Sequence, residues 1–345
     1  MHYTGIDVQK TISTAVVIDD NEKVIDQLLN FRTDDEGLRI FMDRHPPYTT
    51  KVVFENLTAA HRVFHKLVAE GYDVKVLHTG NGCVTEISKT KFKTDLEDAS
   101  KLAVICKDIF TGRRKYRLAH ISSKDEMKAK SLCRMLNEFS SRRDEYNLKI
   151  QEYMNLNGLS LPGRLKSFIR QKALEFETGS GHPALAMMAR AVMFLNLEIE
   201  DAKKELERLY AGNDDIGNLM SMKGISIQTA ATVYSAIDGI ERFDSPEKLV
   251  SHFGLDLTRH DSGDSEGKRH ISKQGDPLVR KLLANVVAKH HLYYPDSDLG
   301  QFYKRMKEKK SHWDAVTASM RKLTCIIWAM LYRHEPYIFN RKASQ

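Results

Sequence analysis

Cysteine is scarce in this 345-residue sequence: there are four, Cys83, Cys106, Cys133 and Cys325, with no Cys-x-x-Cys pair and no Cys/His zinc spacing. That scatter excludes a disulfide framework and a structural zinc site, and points to reduced thiols in a reducing compartment. Long hydrophobic runs are missing as well. The strongest, Leu323 to Leu331, is too short to span a bilayer, and the N-terminus lacks a basic stretch followed by an apolar one. The expectation is a protein without membrane contact, resident in the cytoplasm. No internal repeat is visible.

Hydrophobic residues make up 41% and charged residues 29%, a balance that suits a globular chain with a sizeable core, and the length suits two or three domains. The charge is unevenly placed. From Gln301 onward ten Lys/Arg face three Asp/Glu, so this tail carries the whole net +7 while the preceding residues balance. A polyanionic partner is expected for the tail, and the alternative is a solvated cationic helix face.

Along the chain, Tyr3 to Val8, Ser13 to Asp19 and Lys23 to Phe31 are β-rich runs joined by short polar turns. An amphipathic stretch follows from Asp34 to His45, then an apolar strand from Lys51 to Glu55, a helical pattern from Thr58 to Glu70 and a strand from Val74 to Leu77. Thr94 can cap a helix running through Leu96, Ala99, Leu102 and Ile105. Three antiparallel strands followed by helix, strand, helix, strand and helix is the element order of an RNase H-like, RuvC-like α/β domain, expected over residues 1–120.

Residues 121–211 read as two long amphipathic helices, interrupted by Pro162-Gly163 and by Gly179 to Pro183, and so as a coiled coil or a packed bundle. Residues 212–345 read as a mainly α C-terminal domain. In it, Leu219 to Ile237 has the form helix, Gly224 turn, small-residue helix, which suits either a helix-hairpin-helix holding a DNA phosphate or a plain αα-hairpin. Ser245-Pro246 and Asp276-Pro277 mark helix starts on either side of a polar loop from Leu255 to Gly275. His290 and His291 lack a third metal ligand and are expected on the surface, whereas Trp313, Trp328, Phe302 and Tyr303 are expected in the core.

Four acids stand out against this background. Asp7 is flanked by Ile6 and Val8, which point to the opposite face of a strand; Glu55 ends a strand; Asp95 and Asp98 are three apart on a helix and share a face. Carboxylates gathered in this way repel unless divalent cations sit among them, and Mg²⁺ prefers carboxylate and phosphate oxygens. Singly, each acid is an ordinary surface residue or helix cap.

With these residues the resemblance becomes specific. Gly5-Ile6-Asp7-Val8 with Lys10, Phe54-Glu55, and Lys93-Thr94-Asp95-Leu96-Glu97-Asp98-Ala99 resemble the Asp-Glu-Asp-Asp transposases of bacterial insertion sequences, a family that includes Piv-type invertases and bridge-RNA-guided serine recombinases. A second block follows in family order: Lys223-Gly224-Ile225, His252-Phe253-Gly254-Leu255, Ser262-Gly263, Ile271-Ser272-Lys273 with Gly275, and Arg280. Two departures fall in loops. His78-Thr79-Gly80-Asn81 replaces an Asn-Pro, and no proline stands between Asp256 and His260.

The resemblance implies a DNA transposase or recombinase in which Asp7, Glu55, Asp95 and Asp98 hold Mg²⁺ or Mn²⁺ and Ser262 forms a covalent phosphoserine link. It further implies double-stranded DNA of element and target as substrate, a structured guide RNA, a homodimer or homotetramer, and a nucleoid-associated location in a bacterial cytoplasm. Lys10, Lys93, Gly224, Lys268, Arg269, Lys273 and Arg280 are the candidate nucleic-acid contacts. The rival readings are a Piv-like site-specific invertase, a RuvC-like metal-dependent nuclease that needs no serine, and a non-catalytic binding protein on the same fold. An actin-like kinase, suggested by the Gly-Ile-Asp start, fails for want of a later glycine-rich phosphate loop.

Overall fold

The computed structural model describes residues 1–57, 59–78, 94–159, 182–258 and 270–338. They fold as two compact units, residues 1–122 and 123–345.

The first unit is built on a five-stranded sheet of β1 (His2–Val8), β2 (Ile12–Ile18), β3 (Val24–Arg32), β4 (Thr50–Glu55) and β5 (Asp73–Leu77). Its order is β3-β2-β1-β4-β5, with the first three strands antiparallel and β4 and β5 parallel to β1. The strand–helix order read from the sequence is therefore present. Side-chain alternation along each strand splits the core in two. Ile6, Val8, Val52 and Phe54 face α1 (Asp35–Arg44) and α2 (Ala60–Ala69), through Leu38, Phe41, Val63 and Leu67. Tyr3, Val16 and Val53 face α3 (Asp95–Thr111), through Ala99, Leu102, Ala103 and Cys106.

One close approach fixes α3 on this sheet. A Cβ at Gly5 would lie 2.2 Å from both the Ala103 amide nitrogen and the Ala99 carbonyl oxygen, so helix backbone occupies the space that any other side chain needs. The helix is also oriented. Lys107, from its C-terminal half, pairs with Glu22 in the β2–β3 turn at 2.8 Å, and that turn lies at the N-terminal end of β1, where Tyr3 pairs with Ile18. The N-terminus of α3 consequently lies at the C-terminal end of β1.

The second unit is mainly helical: α4 (Lys124–Leu156), α5 (Pro183–Leu209), α6 (Asp214–Ser221), α7 (Ile227–Ile237), α8 (Pro246–His252), α9 (Pro277–Tyr293), α10 (Asp298–Lys309) and α11 (His312–Arg333). A two-stranded ribbon, β6 (Leu257–Thr258) with β7 (His270–Ile271), lies between α8 and α9. The long helices α4 and α5 pack antiparallel within this unit. Ile150 and Met154 at the end of α4 meet Leu185, Ala189 and Val192 at the start of α5, while Ala129, Cys133 and Leu136 share a core with Leu206 and Tyr210. Leu185, Val192, Ile199 and Leu206 recur every seven residues and are all buried. The α4 seam is less regular, with Ser140, Arg143 and Asn147 at the corresponding middle positions.

The expected packing of the tail is present: Leu323, Ile327, Met330 and Leu331 enter the core of the second unit. Two expectations need correction. Trp313 is 75% exposed because it lies in the first turn of α11, ahead of the buried stripe that begins at Ala315. His290 is only 1% exposed, since it continues the Val279, Leu283 and Val286 stripe of α9. Trp328, by contrast, donates its indole N–H to the Phe243 carbonyl at 2.8 Å, and Tyr303 is buried.

Gly5→Ala is expected to destabilise the first unit by about 1–3 kcal/mol or more, because backbone cannot yield as a flexible side chain can. Urea denaturation followed by circular dichroism measures the loss; an unchanged midpoint contradicts the close approach.

Candidate active site

Strand parity puts Asp7 and Glu55 on the α3 side of the sheet. Asp7 is two residues beyond Gly5, and Glu55 two beyond Val53, both of which face α3. The β1–β4 pairing runs from His2↔Thr50 to Ile6↔Phe54; one further step sets Asp7 beside Glu55 on adjacent strands, which lie roughly 4.8 Å apart. Asp95 and Asp98 arrive from above. Each stands four residues before a buried member of the sheet-facing stripe, Ala99 and Leu102, so both carboxylates head that stripe at the end of the helix nearest Asp7.

Register and helix position thus assign all four acids to one end of the α3 side of the sheet, in different surroundings. Asp98 is 7% exposed, Asp7 and Glu55 are half-buried, and Asp95 is exposed. Asp7 accepts a hydrogen bond from Gln9 Nε2 at 3.3 Å. Thr94 caps the helix by accepting from the Glu97 amide at 3.2 Å, and the first-turn acids gain from the helix dipole. Among the described residues no group of three or more His, Cys, Asp or Glu is arranged to hold a metal ion. The donor chemistry still fits a hard divalent ion, because Mg²⁺ is commonly held by one or two carboxylates together with substrate phosphates and not by an all-protein cage.

In the second unit, the ends of the polar loop are tied together. Leu257 pairs with Ile271 and Thr258 with His270, the Ser272 amide donates to the Asp256 carbonyl at 3.0 Å, and the Ser272 hydroxyl binds the Asp256 carboxylate. Gly254 and Gly275 allow the two sides to touch: a Cβ on Gly254 would lie 2.6 Å from the Gln274 amide nitrogen, and one on Gly275 2.5 Å from the His252 carbonyl oxygen. Arg280 locks the junction by donating from Nη1 to the carbonyls of Phe253 and Gly275, at 3.0 and 2.8 Å. Ser262, Lys268 and Arg269 fall on residues between β6 and β7 that lie outside the described set, as does Lys93. Lys10 and Lys273 are both exposed, the latter with left-handed backbone at φ 56°.

The Gly224 turn joins α6 to α7 with φ at 88°. Its carbonyls are gripped from α9, where His290 Nε2–H donates to Lys223 at 2.7 Å and Lys289 Nζ donates to Gly224 at 3.0 Å. Farther along, a cleft of about 850 Å³ between α10, α11 and residues 335–338 is lined by Phe302, Lys304, Arg305, Lys322 and Arg333, with acidic Asp298, Glu308 and Glu335.

A family profile described as a transposase, of the DEDD type named for IS110, matches residues 4–154, and one described as the transposase IS116/IS110/IS902 family matches residues 217–303. The chain belongs to the DEDD insertion-sequence transposase family. Among relatives, it is 31% identical over 142 residues to the transposase for insertion sequence element IS1111A of Coxiella burnetii, a match spanning 40% of this chain and 39% of that protein. It is 22% identical to a probable family 20 transposase of Pseudomonas aeruginosa over 96% of this chain and 97% of that one. The transposase for IS1328 of Yersinia enterocolitica is 21% identical over 94% of this chain and 95% of its own length.

In this transposase-family chain the DEDD-type profile covers all four acids, and the second profile covers the Gly224 turn and the ribbon. Sequence reasoning missed the role of His290, although its place on the Val279–Leu283–Val286 stripe was a usable signal. Burial pushes the His290 imidazole below its ordinary value of 6.5. The unfolded chain therefore takes up this proton more readily than the folded one, and stability falls as pH drops from 6.5 toward the folded value. Calorimetry across that window is expected to register a falling melting temperature for the second unit, and His290→Gln is expected to remove this component of the pH dependence.

Proposed function

We propose that this chain is a transposase or recombinase that cleaves and rejoins DNA, using an acid corner in an RNase H-like unit and Ser262 in the second unit. What supports this reading is the strand register and helix face that assign Asp7, Glu55, Asp95 and Asp98 to one end of one sheet face, together with the two family matches in chain order. Asp7, Glu55, Asp95 and Asp98 would hold Mg²⁺ or Mn²⁺. When bound, the ion supplies positive charge for the phosphate oxygens during displacement.

Ser262 Oγ attacks a DNA phosphate, so an Oγ–P bond forms as the bond from phosphorus to a deoxyribose oxygen breaks; the serine proton leaves and the freed strand end takes one up. A hydroxyl of the incoming strand then attacks the phosphoserine and returns Oγ to the enzyme. The paired ends of β6 and β7, tied by Arg280, hold the entry and exit of the segment bearing Ser262. The exposed cations of the second unit supply phosphate contacts, and a structured guide RNA, with base pairing as the reader of sequence, is the proposed partner.

The protein is proposed to act as a homodimer or homotetramer through α5, whose Met187, Phe194 and Leu197 are exposed and apolar although its opposite face is already covered by α4.

Incubating full-length protein with element-end DNA, target DNA and guide RNA tests the chemistry. A DNA-linked protein species that survives denaturation is expected for the wild type, and its loss by at least about 100-fold for Ser262→Ala and Asp7→Asn, with DNA binding retained. Recombination at normal rate by Ser262→Ala would favour the RuvC-like nuclease reading over the serine mechanism. Separately, Phe194→Glu with Leu197→Glu is expected to shift the mass measured by light scattering from oligomer to monomer.

A further inference from the structure

Trp313 differs from the scattered apolar side chains found on any protein surface. Its indole is 75% exposed, yet it ends a row of packed rings. The His291 ring lies 4.5 Å from that of Tyr303, Tyr303 lies 6.1 Å from His312, and His312 lies 5.0 Å from Trp313. Tyr303 roots this row in the core at 3% exposure, and its hydroxyl is hydrogen-bonded to His312 Nδ1 at 2.8 Å. The backbone is fixed as well. Ser311 caps α11 by accepting from the Asp314 amide at 3.2 Å, so His312 and Trp313 stand in a defined first turn.

The surroundings specify charge. Lys307, Lys309 and Lys310 are exposed at the end of α10, immediately before that turn, and none of them is in an ion pair among the described residues. The nearby acids are Glu308 and Asp314, the latter hydrogen-bonded to the Ser311 hydroxyl at 2.7 Å. An exposed π-face next in the chain to a run of lysines complements a polyanion with free aromatic faces. Duplex DNA provides the phosphates but hides its base faces in the stack, whereas a single strand offers both.

We propose that Trp313 is a stacking platform for an unpaired nucleobase, with Lys307, Lys309 and Lys310 contacting the phosphates of the same single strand. The platform rests on the reading of the chain as a nucleic-acid enzyme for its class of ligand, but it requires neither the acid corner nor Ser262. Displaced DNA strands and RNA loops share this chemistry, and the test separates them.

The chain has two tryptophans, so in a Trp328→Phe background the remaining indole reports on this site alone. Full-length protein is titrated with single-stranded oligodeoxyadenylate, with oligoriboadenylate and with a blunt duplex of equal length, and tryptophan emission is followed. Quenching by a single strand and not by the duplex is expected; the tighter of the two single strands identifies the source. Trp313→Ala is expected to weaken single-strand binding about 5- to 150-fold, whereas Trp313→Phe retains most of it. Lys309→Gln with Lys310→Gln is expected to weaken binding and flatten its salt dependence. Should Trp328→Phe fail to fold, the difference in quenching between wild type and Trp313→Phe gives the same readout.

Equal quenching by the duplex, or unchanged affinity in Trp313→Ala, overturns the proposal. So does the absence of quenching by all three nucleic acids, which would leave the ring face to a protein partner. Lost quenching with intact strand exchange counts against the platform alone; intact quenching without strand exchange counts against the proposed function alone.

Discussion

The contact between the backbone of α3 and the bare Cα of Gly5 sets the geometry of the first unit. A side chain there would lift the helix from the central strand and separate Asp95 and Asp98 from the sheet. With glycine in place, the helix settles where its buried stripe meets Tyr3, Val16 and Val53, and its acidic first turn lies over the end of β1. Parallel register does the rest. Asp7 and Glu55 lie on the same face because both are an even number of residues from positions already facing α3; a slip of one residue would turn either to the opposite face.

Like-charged carboxylates at one end of a sheet face repel one another. The N-terminal dipole of α3 favours its first-turn acids, and Gln9 donates a hydrogen bond to Asp7. Mutual repulsion of four carboxylates is what a cation and a phosphate would relieve together.

Much of this architecture was legible in the sequence because its signals are local. β-rich runs bounded by polar turns marked the strands, and Thr94 marked the start of α3. Partnership over distance was harder to read. His290 and His291 form an identical pair in the chain, and only the helical stripe separates the buried member from the exposed one. Trp313 looked like core because tryptophan usually is, yet it precedes the first buried residue of α11. Arg280 read as a phosphate contact, while its Nη1 is engaged by two carbonyls, an arrangement that depends on how residues 253 and 275 are brought together. The middle helices matched a heptad along α5 but not along α4, where Ser140, Arg143 and Asn147 interrupt the seam.

The antiparallel pair of α4 and α5 has a mechanical consequence. At its base the pair belongs to the large core of the second unit, through Ala129, Cys133, Leu136 and Leu206, whereas its far end is closed by a small core of its own around Ile150, Met154 and Leu185. The 33 residues of α4 extend roughly 50 Å at 1.5 Å per residue. Such a rod is a lever arm: Met154 lies roughly 27 Å along the helix from Leu136, so a repacking around Leu136 that tilts the rod by about 10° would carry Met154 through roughly 5 Å.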